Sequence, residues 1–249
     1  MLEVKGFRVG YSRGKDVVPG ANLSIEKGKI AVLLGPNGSG KSTLLKAIAG
    51  SIKVRAGELL FDGQDISKNR AKTISYVPQA ALLPCLSVFD TVLSGRMPIF
   101  GFHSGKSDEE ATWKVLRSLG LEQFAMRNAN ELSGGEMQLV MIARALCSSP
   151  KVILFDEPTA NLDIANALLV RKTLKNLAEQ EGLTLLIALH DISYALNLGD
   201  EFFGIKNGEI AFHSDKGQIT PESLETLYGA KPNLVNIGGE IAVHFGGNI

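Results

Sequence analysis

Gly35-Pro36-Asn37-Gly38-Ser39-Gly40-Lys41-Ser42-Thr43 is the stretch on which the reading of this chain turns. A glycine, four residues and then Gly-Lys-Ser is the pattern of a phosphate-binding loop. The apolar run Ile30-Ala31-Val32-Leu33-Leu34 precedes it and reads as a buried strand, and Leu44 to Ala49 reads as a helix. Strand, glycine loop and helix gather backbone N–H groups and a helix N-terminus around one anion. Gly35, Gly38 and Gly40 let the backbone turn tightly and approach phosphates with no Cβ in the way. Lys41 is placed to reach the β- and γ-phosphates, and the Ser42 hydroxyl to hold Mg²⁺. The loop predicts a nucleoside triphosphate and leaves open which one.

A second apolar run, Val152-Ile153-Leu154-Phe155, delivers Asp156 and Glu157. One carboxylate at a strand tip can order a metal's hydration shell, and the next can activate water opposite the γ-phosphate. Successive strand residues point to opposite faces, so Asp156 reads as the metal-side group and Glu157 as the base. Gln79 follows a strand, Ile74 to Val77, that stops at Pro78, and it can reach a metal or a water. His190 follows the buried run Leu183 to Leu189 and could contact the γ-phosphate. Alone, a residue like either is more often a surface or structural one. Tyr11 stands in a polar neighbourhood, where it either stacks on a base or packs on the sheet edge. Leu132-Ser133-Gly134-Gly135-Glu136 precedes a helix expected from Met137 to about Ser148. It is either an N-cap or a second anion site.

Outward from these segments, residues 2–30 and 57–63 read as short strands, the latter ending at an Asp-Gly turn. Residues from about 86 to 150 read as a helical insertion. Within it Ser87 to Leu93 can begin a helix, and Met97, Ile99 and Phe100 sit in a proline-containing apolar loop that the core or a partner must cover. Ser107-Asp108-Glu109-Glu110 has the Ser-x-x-Glu capping pattern, with Ala111, Val115, Leu116 and Leu119 on one helical face. After the turn Ala160-Asn161-Leu162-Asp163, a long helix offers Leu168, Leu169, Leu174 and Leu177 for packing. Residues 202–212 read as a hairpin around Asn207-Gly208, and from Thr220 a short helix leads into a polar tail with strand-like Ile241-Ala242-Val243.

The 249 residues fit one large domain or two closely joined ones, and a hydrophobic fraction of 45% supports a sizeable core. Lys plus Arg and Asp plus Glu are 26 each, which argues against a nucleic-acid partner. Cys85 and Cys147 lie in apolar surroundings and read as buried thiols of a cytosolic protein. The N-terminus carries charge where a signal peptide would be apolar, and no run approaches the roughly 18 residues of a membrane span.

Taken in order, these motifs closely resemble the ATP-binding subunit of an ABC transporter, over nearly the whole chain. Gly35 to Thr43 matches the family's Walker A loop, Gln79 its Q-loop, Leu132 to Glu136 its signature and Val152 to Glu157 its Walker B. Ala160 to Asp163 resembles the D-loop, His190 the switch histidine and Tyr11 the base-stacking aromatic. The resemblance implies an α/β P-loop ATPase, residues 1–249, with an antiparallel β subdomain and a helical subdomain near 86–150. It implies ATP and Mg²⁺ as cofactors, with Glu157, His190 and Gln79 as the catalytic set and Ser42, Gln79 and Asp156 at the metal. Tyr11, residues 35–43, Ser133, Gly134, Gly135 and Asp163 would bind nucleotide. Two copies would meet head to tail, on the cytoplasmic face of a membrane, with a polytopic permease and indirectly an extracytoplasmic binding protein. Residues 80–105 would receive the permease. Met137 and Leu139 depart from the arginines frequent after the signature. Thr91 to Pro98, and the tail with Leu224 and Leu227-Tyr228-Gly229, look like importers of iron-siderophore, haem or cobalamin complexes. The alternatives are a zinc or manganese importer ATPase, or a non-transport ATPase of iron–sulfur cluster assembly.

Overall fold

The computed structural model describes residues 1–11, 14–79, 85–101 and 103–246, with the Phe100 side chain outside this set. The chain opens with β1 (Leu2–Val9), β2 (Val18–Ile25) and β3 (Ile30–Leu34), followed by α1 (Lys41–Ala49). Next come β4 (Val54–Phe61), β5 (Gln64–Asp65) and β6 (Ile74–Val77). The helical stretch holds α2 (Val88–Leu93), α3 (Met97–Phe100), α4 (Lys106–Ser118) and α5 (Gly134–Cys147). The chain then forms β7 (Val152–Asp156), α6 (Ile164–Glu179), β8 (Thr184–Ala188), α7 (Ile192–Leu198), β9 (Glu201–Lys206) and β10 (Glu209–Asp215). It closes with α8 (Pro221–Tyr228), β11 (Asn233–Ile237) and β12 (Glu240–His244).

The central sheet has strand order β10-β9-β3-β8-β7-β6, parallel except for β10. β3, β7 and β8 are buried along their whole length, which is why they read as unbroken apolar runs rather than alternating ones. Alternate residues serve opposite faces. Ile30, Val32 and Leu34 pack towards α5, α6 and α7, whereas Ala31 and Leu33 pack towards α1 and the second sheet. That second sheet, β2-β1-β4-β5, is antiparallel and half-solvated, and it buries α1 between itself and the central sheet. The β9–β10 turn places both Asn207 (φ 53°) and Gly208 (φ 83°) in the left-handed region, as a two-residue hairpin of this hand requires. The architecture is thus an α/β core with an antiparallel β layer and a helical layer, as the resemblance implies.

Several local expectations need correcting. Residues 94–100 are helical, not irregular: a 3₁₀ turn over Ser94–Arg96 runs into α3. α4 starts one residue before Ser107, so the Ser107–Glu110 box does not form. Asp108 instead accepts the Gly105 N–H (2.9 Å) and pairs with Arg96 (2.7 Å), which fixes the helix start where a buried carboxylate is satisfied. On the same helix Thr112 and Leu116 are fully buried, while Ala111 and Val115 are only partly so. α5 begins at Gly134, three residues before Met137, because Ser133 and Glu136 form a reciprocal cap. Leu168 and Leu169 are exposed (49% and 45%), since the buried face of α6 runs through Val170, Leu174 and Leu177, and the two leucines lie off that face. Cys85 is exposed, because it lies on the loop ahead of the Ser87 cap; Cys147 is buried. The tail agrees with the strand-like Ile241 to Val243: these lie in β12 of the β11–β12 hairpin, clipped to α7 by paired bonds between Asn197 and the Ile241 backbone (2.9 Å each).

The Arg96–Asp108 pair gives a stability prediction. The Gly105 N–H first, and then Arg96, hold the Asp108 carboxyl below its ordinary value. A carboxylate lowered in the folded state stabilises above its unfolded pKa of about 3.9, and that contribution is lost as pH falls through the lowered value. Asp108→Asn is therefore expected to lower Tm by several degrees near neutral pH. The gap to wild type should close at strongly acidic pH in thermal melts. An equal gap at both pH values would mean the charge is not what stabilises the site.

Candidate nucleotide site

The sheet places the ends of β3, β6, β7 and β8 on one edge, where ligands of open α/β sheets bind. β3 feeds the loop 35–40, β6 delivers Gln79, β7 delivers Asp156 and Glu157, and β8 delivers His190. A cavity of about 370 Å³ opens there, lined by Asn37, Gly38, Lys41, Ser42, Gln79 and Glu157 among others.

Each group has a defined setting. Lys41 is buried, and its Nζ donates to the carbonyls of Gly35 (2.6 Å) and Pro36 (3.1 Å). Burial lowers the pKa of its ammonium, against the opposing charges of Glu157 and Asp156. Ser42 Oγ donates to Asp156 Oδ1 (2.8 Å), and the Tyr76 hydroxyl donates to Asp156 Oδ2 (3.1 Å). Burial, and then the Asp156 charge, push the Tyr76 phenol up, so it remains a donor. Gln79 Nε2 donates to Glu157 Oε2 (3.0 Å), and His190 Nδ1 lies 3.4 Å from the same oxygen. Tyr11 is exposed beside the loop, its hydroxyl 3.1 Å from Thr43 Oγ1.

Two expectations about this geometry change. Glu157 is not the next residue of a pleated strand. β7 ends at Asp156, and Glu157 takes φ 50°, a left-handed conformation that is strained for a side chain of its size. That twist, with its N–H bound to the Ala188 carbonyl (3.0 Å), turns Glu157 towards Gln79 and His190, away from Ser42 and Tyr76. The glycines also differ in purpose. A Cβ on Gly35 would lie 2.2 Å from the Ile205 carbonyl oxygen, so Gly35 is required by protein backbone rather than by phosphate. Gly38 and Gly40 are required by φ values of 77° and 106°.

The loop fits a triphosphate and its metal. Lys41 supplies a buried cation, and the Ser42 hydroxyl and Asp156 carboxylate are hard oxygen donors of the kind Mg²⁺ takes. Ser39 Oγ is buried with no hydrogen-bond partner among the described residues, a donor left for an anion in the loop. ATP and Mg²⁺ suit this donor set. Tyr76 is absent from the sequence-based site, since a tyrosine inside an edge strand carries no signal that it reaches the carboxylate of the neighbouring strand.

The signature residues lie elsewhere. Ser133, Gly134, Gly135 and Asp163 are not among the walls of this cavity. Ser133 caps α5, and its Oγ and N–H both bind Glu136 Oε2 (2.7 and 2.9 Å). Asp163 caps α6 through the Asn166 N–H (2.8 Å). A Cβ on Gly135 would lie 2.0 Å from Asn166 Oδ1, so the signature turn and the 160–166 turn are packed together.

Residues 18–160 match the family model described as "ABC transporter". The chain is 38% identical over 243 residues to an uncharacterised ABC transporter ATP-binding protein of Methanocaldococcus jannaschii, covering 96% of this chain and 95% of that one. It is 37% identical to the phosphonates import ATP-binding protein PhnC of Hydrogenovibrio crunogenus, over 88% of this chain and 85% of the other. Among solved structures, an ABC transporter of proposed metal-chelate type in an inward-facing conformation superposes with a TM-score of 0.83 at 30% identity, covering 98% of this chain and 95% of its own.

Proposed function

This chain belongs to the ABC transporter family as an ATP-binding subunit that hydrolyses ATP, and on that premise we propose that two copies close head to tail over two nucleotides to drive import of a metal chelate. The observation that carries the dimer reading is the division of the anion-facing groups. The cavity around Lys41 is walled by the loop and the Glu157 carboxylate, with no signature residue among the walls. Ser133, Gly134 and Gly135 of a second copy would cover the nucleotide held by residues 35–43, with Asp163 at the seam. Hydrolysis then removes the bridge and reopens the pair.

In this reading Lys41, the loop N–H groups and Ser39 bind the phosphates, and Tyr11 stacks on the base. Ser42, Asp156 and Gln79 would hold Mg²⁺, which would supply charge neutralisation for the triphosphate. Glu157 accepts a proton from the attacking water, and His190 and Gln79 hold its carboxylate in place, as their contacts with Oε2 support.

We take residues 1–249 as one ATPase domain, with the helical subdomain near 86–150 facing a permease at the cytoplasmic side of the membrane. No helix among the described residues is long and apolar enough to cross a membrane. A groove of about 300 Å³ runs between the two layers, lined by Tyr76, Ser94, Met97, Pro98, Met141 and Arg144 among others. Met97 (52%) and Ile99 (50%) are exposed at α3, and we assign that groove to a cytoplasmic helix of the permease. The neighbouring residues 80–84, also expected at this cleft, lie outside the described residues, as does the Phe100 side chain. Replacing Met97 and Ile99 together by Ser is expected to reduce recovery of the permease roughly tenfold or more, the effect of losing a hot spot. ATP hydrolysis by the purified subunit should stay within about twofold. Undiminished recovery would remove α3 from the interface.

The metal-chelate reading rests on the resemblance of Thr91 to Pro98 and of the tail at Leu224 to Gly229, and on the likeness to the metal-chelate type structure, which covers 98% of this chain. Phosphonate import is the second reading, favoured by the likeness to PhnC. Co-purification with the permease, followed by uptake assays in vesicles with ferric siderophore, haem, cobalamin and phosphonate, tests both. Uptake of phosphonate alone rejects the chelate assignment. The extracytoplasmic binding protein belongs to the same proposal, and no nucleic acid partner does.

A further inference from the structure

The geometry points to Tyr228 as a positioning residue for the phosphate loop: its hydroxyl holds the Gly35 backbone N–H in the orientation that nucleotide binding requires. The inference rests on the reading of residues 35–43 as the ATP-binding loop. It concerns a part of the chain beyond the residues 18–160 that the family model matches.

The need for such a contact follows from where the sheet stops. β3 pairs with β8 only as far as Leu33 and with β9 only as far as Leu34. Gly35 is therefore the first residue whose N–H leaves the ladder, and a partly buried backbone donor must find another acceptor. It finds the Tyr228 hydroxyl at 3.1 Å, across 193 positions of sequence. Gly35 then carries two directional contacts, its N–H to Tyr228 and its carbonyl to Lys41. The Lys41 contact competes with phosphate for the same ammonium, whereas the Tyr228 contact does not. Tyr228 alone of the two can keep the Gly35 peptide fixed with nucleotide present.

The tyrosine stands on a firm base. It ends α8, whose Leu224 and Leu227 are buried in the main core. Lys206 of β9 donates to the Thr226 carbonyl (2.6 Å), and the Phe245 ring closes edge-on over Tyr228 at 5.9 Å. Burial pushes the phenol up to about 12, so it remains neutral at working pH. The C-terminal helix is in this way a strut from the far end of the chain to the first turn of the loop.

Tyr228→Phe tests this, since it keeps the ring and its packing and removes only the oxygen. Without its acceptor the Gly35 N–H must turn to find another, and only part of the population then holds the binding geometry. The expected result is a rise of about three- to tenfold in Kd for ATP and for ADP, titrated well below the melting temperature. KM for ATP should rise by the same factor with kcat at saturation within about twofold, because the contact is made alike in ground and transition states. A lower Tm with unchanged Kd would mean a merely structural contact and overturn the inference. So would a fall in kcat with unchanged KM. Wild-type protein that binds no ATP would overturn the loop reading itself, and the inference with it. Wild-type binding matched by the variant overturns the inference alone.

Discussion

ATP hydrolysis by the Glu157→Gln protein is expected to fall by roughly 10²–10⁴-fold, the range of a positioned general base, while ATP still binds. The substitution keeps the size of the side chain and its capacity to meet Gln79, and it removes the proton acceptor and one negative charge. Lys41, Ser42 and Asp156 are untouched, so the groups that hold phosphate and metal stay in place. Removing a carboxylate also relieves repulsion of the triphosphate, so affinity should not drop. The ATP-bridged dimer should then accumulate, because the step that dissolves it is blocked and nucleotide binds the closed form preferentially. A phosphate-release assay together with size-exclusion chromatography, with and without ATP and Mg²⁺, reads both effects. Rapid turnover would reject Glu157 as the base. Slow turnover with no ATP-dependent dimer at high protein concentration would leave the base in place and reject the shared site for the isolated subunit. Asp156→Asn should differ, losing Mg²⁺-dependent binding as well, since Asp156 meets Ser42 rather than Glu157's partners.

Lys41→Ala should lose at least about tenfold in ATP affinity and reduce hydrolysis to background, because a charge-assisted hydrogen bond to phosphate is lost from a buried position. The effect on folding should be small by comparison. The variant gives up two bonds to the Gly35 and Pro36 carbonyls, but it also relieves the desolvation that lowers the pKa of the ammonium. Titration of a fluorescent ATP analogue, phosphate release and a thermal melt separate the terms. Near-normal turnover would remove the loop from the chemistry. A collapse in Tm together with lost binding would mean that Lys41 mainly holds the loop shut.

The contrast between these variants shows which parts of the site are local. Lys41, Ser42 and the glycines stand within one nine-residue pattern, whose spacing is itself the geometry, so they are legible from sequence. Glu157 is also legible as a residue, but the reason for its direction is not. The pleat suggests opposite faces, whereas a left-handed backbone at φ 50° does the turning. Neither Tyr76 nor Tyr228 carries a local signal that it reaches the nucleotide site. Each reaches the site across a sheet edge or from the end of the chain, 80 positions from Asp156 and 193 from Gly35.

The sequence by itself determined the nucleotide loop, the two carboxylates, the buried strands that carry them and the order of the family motifs. Those features are written in short-range spacing: unbroken apolar runs for strands buried on both faces, and glycines where backbone must turn. Only the tertiary structure decided the rest. The start of α4 follows from a buried Asp108 that Arg96 must neutralise, and no local cap signal contains that pair. The exposure of Leu168 and Leu169 depends on which face of α6 meets the core, and its leucines alone do not say. Gly35 is a glycine because the Ile205 carbonyl lies against it, a contact set by the pairing of β3 with β9. For Gly35 the deciding partner is distant in sequence, so its effect exists only once the sheet has brought the two together; for α4 and α6 it is the packing of the helices that decides.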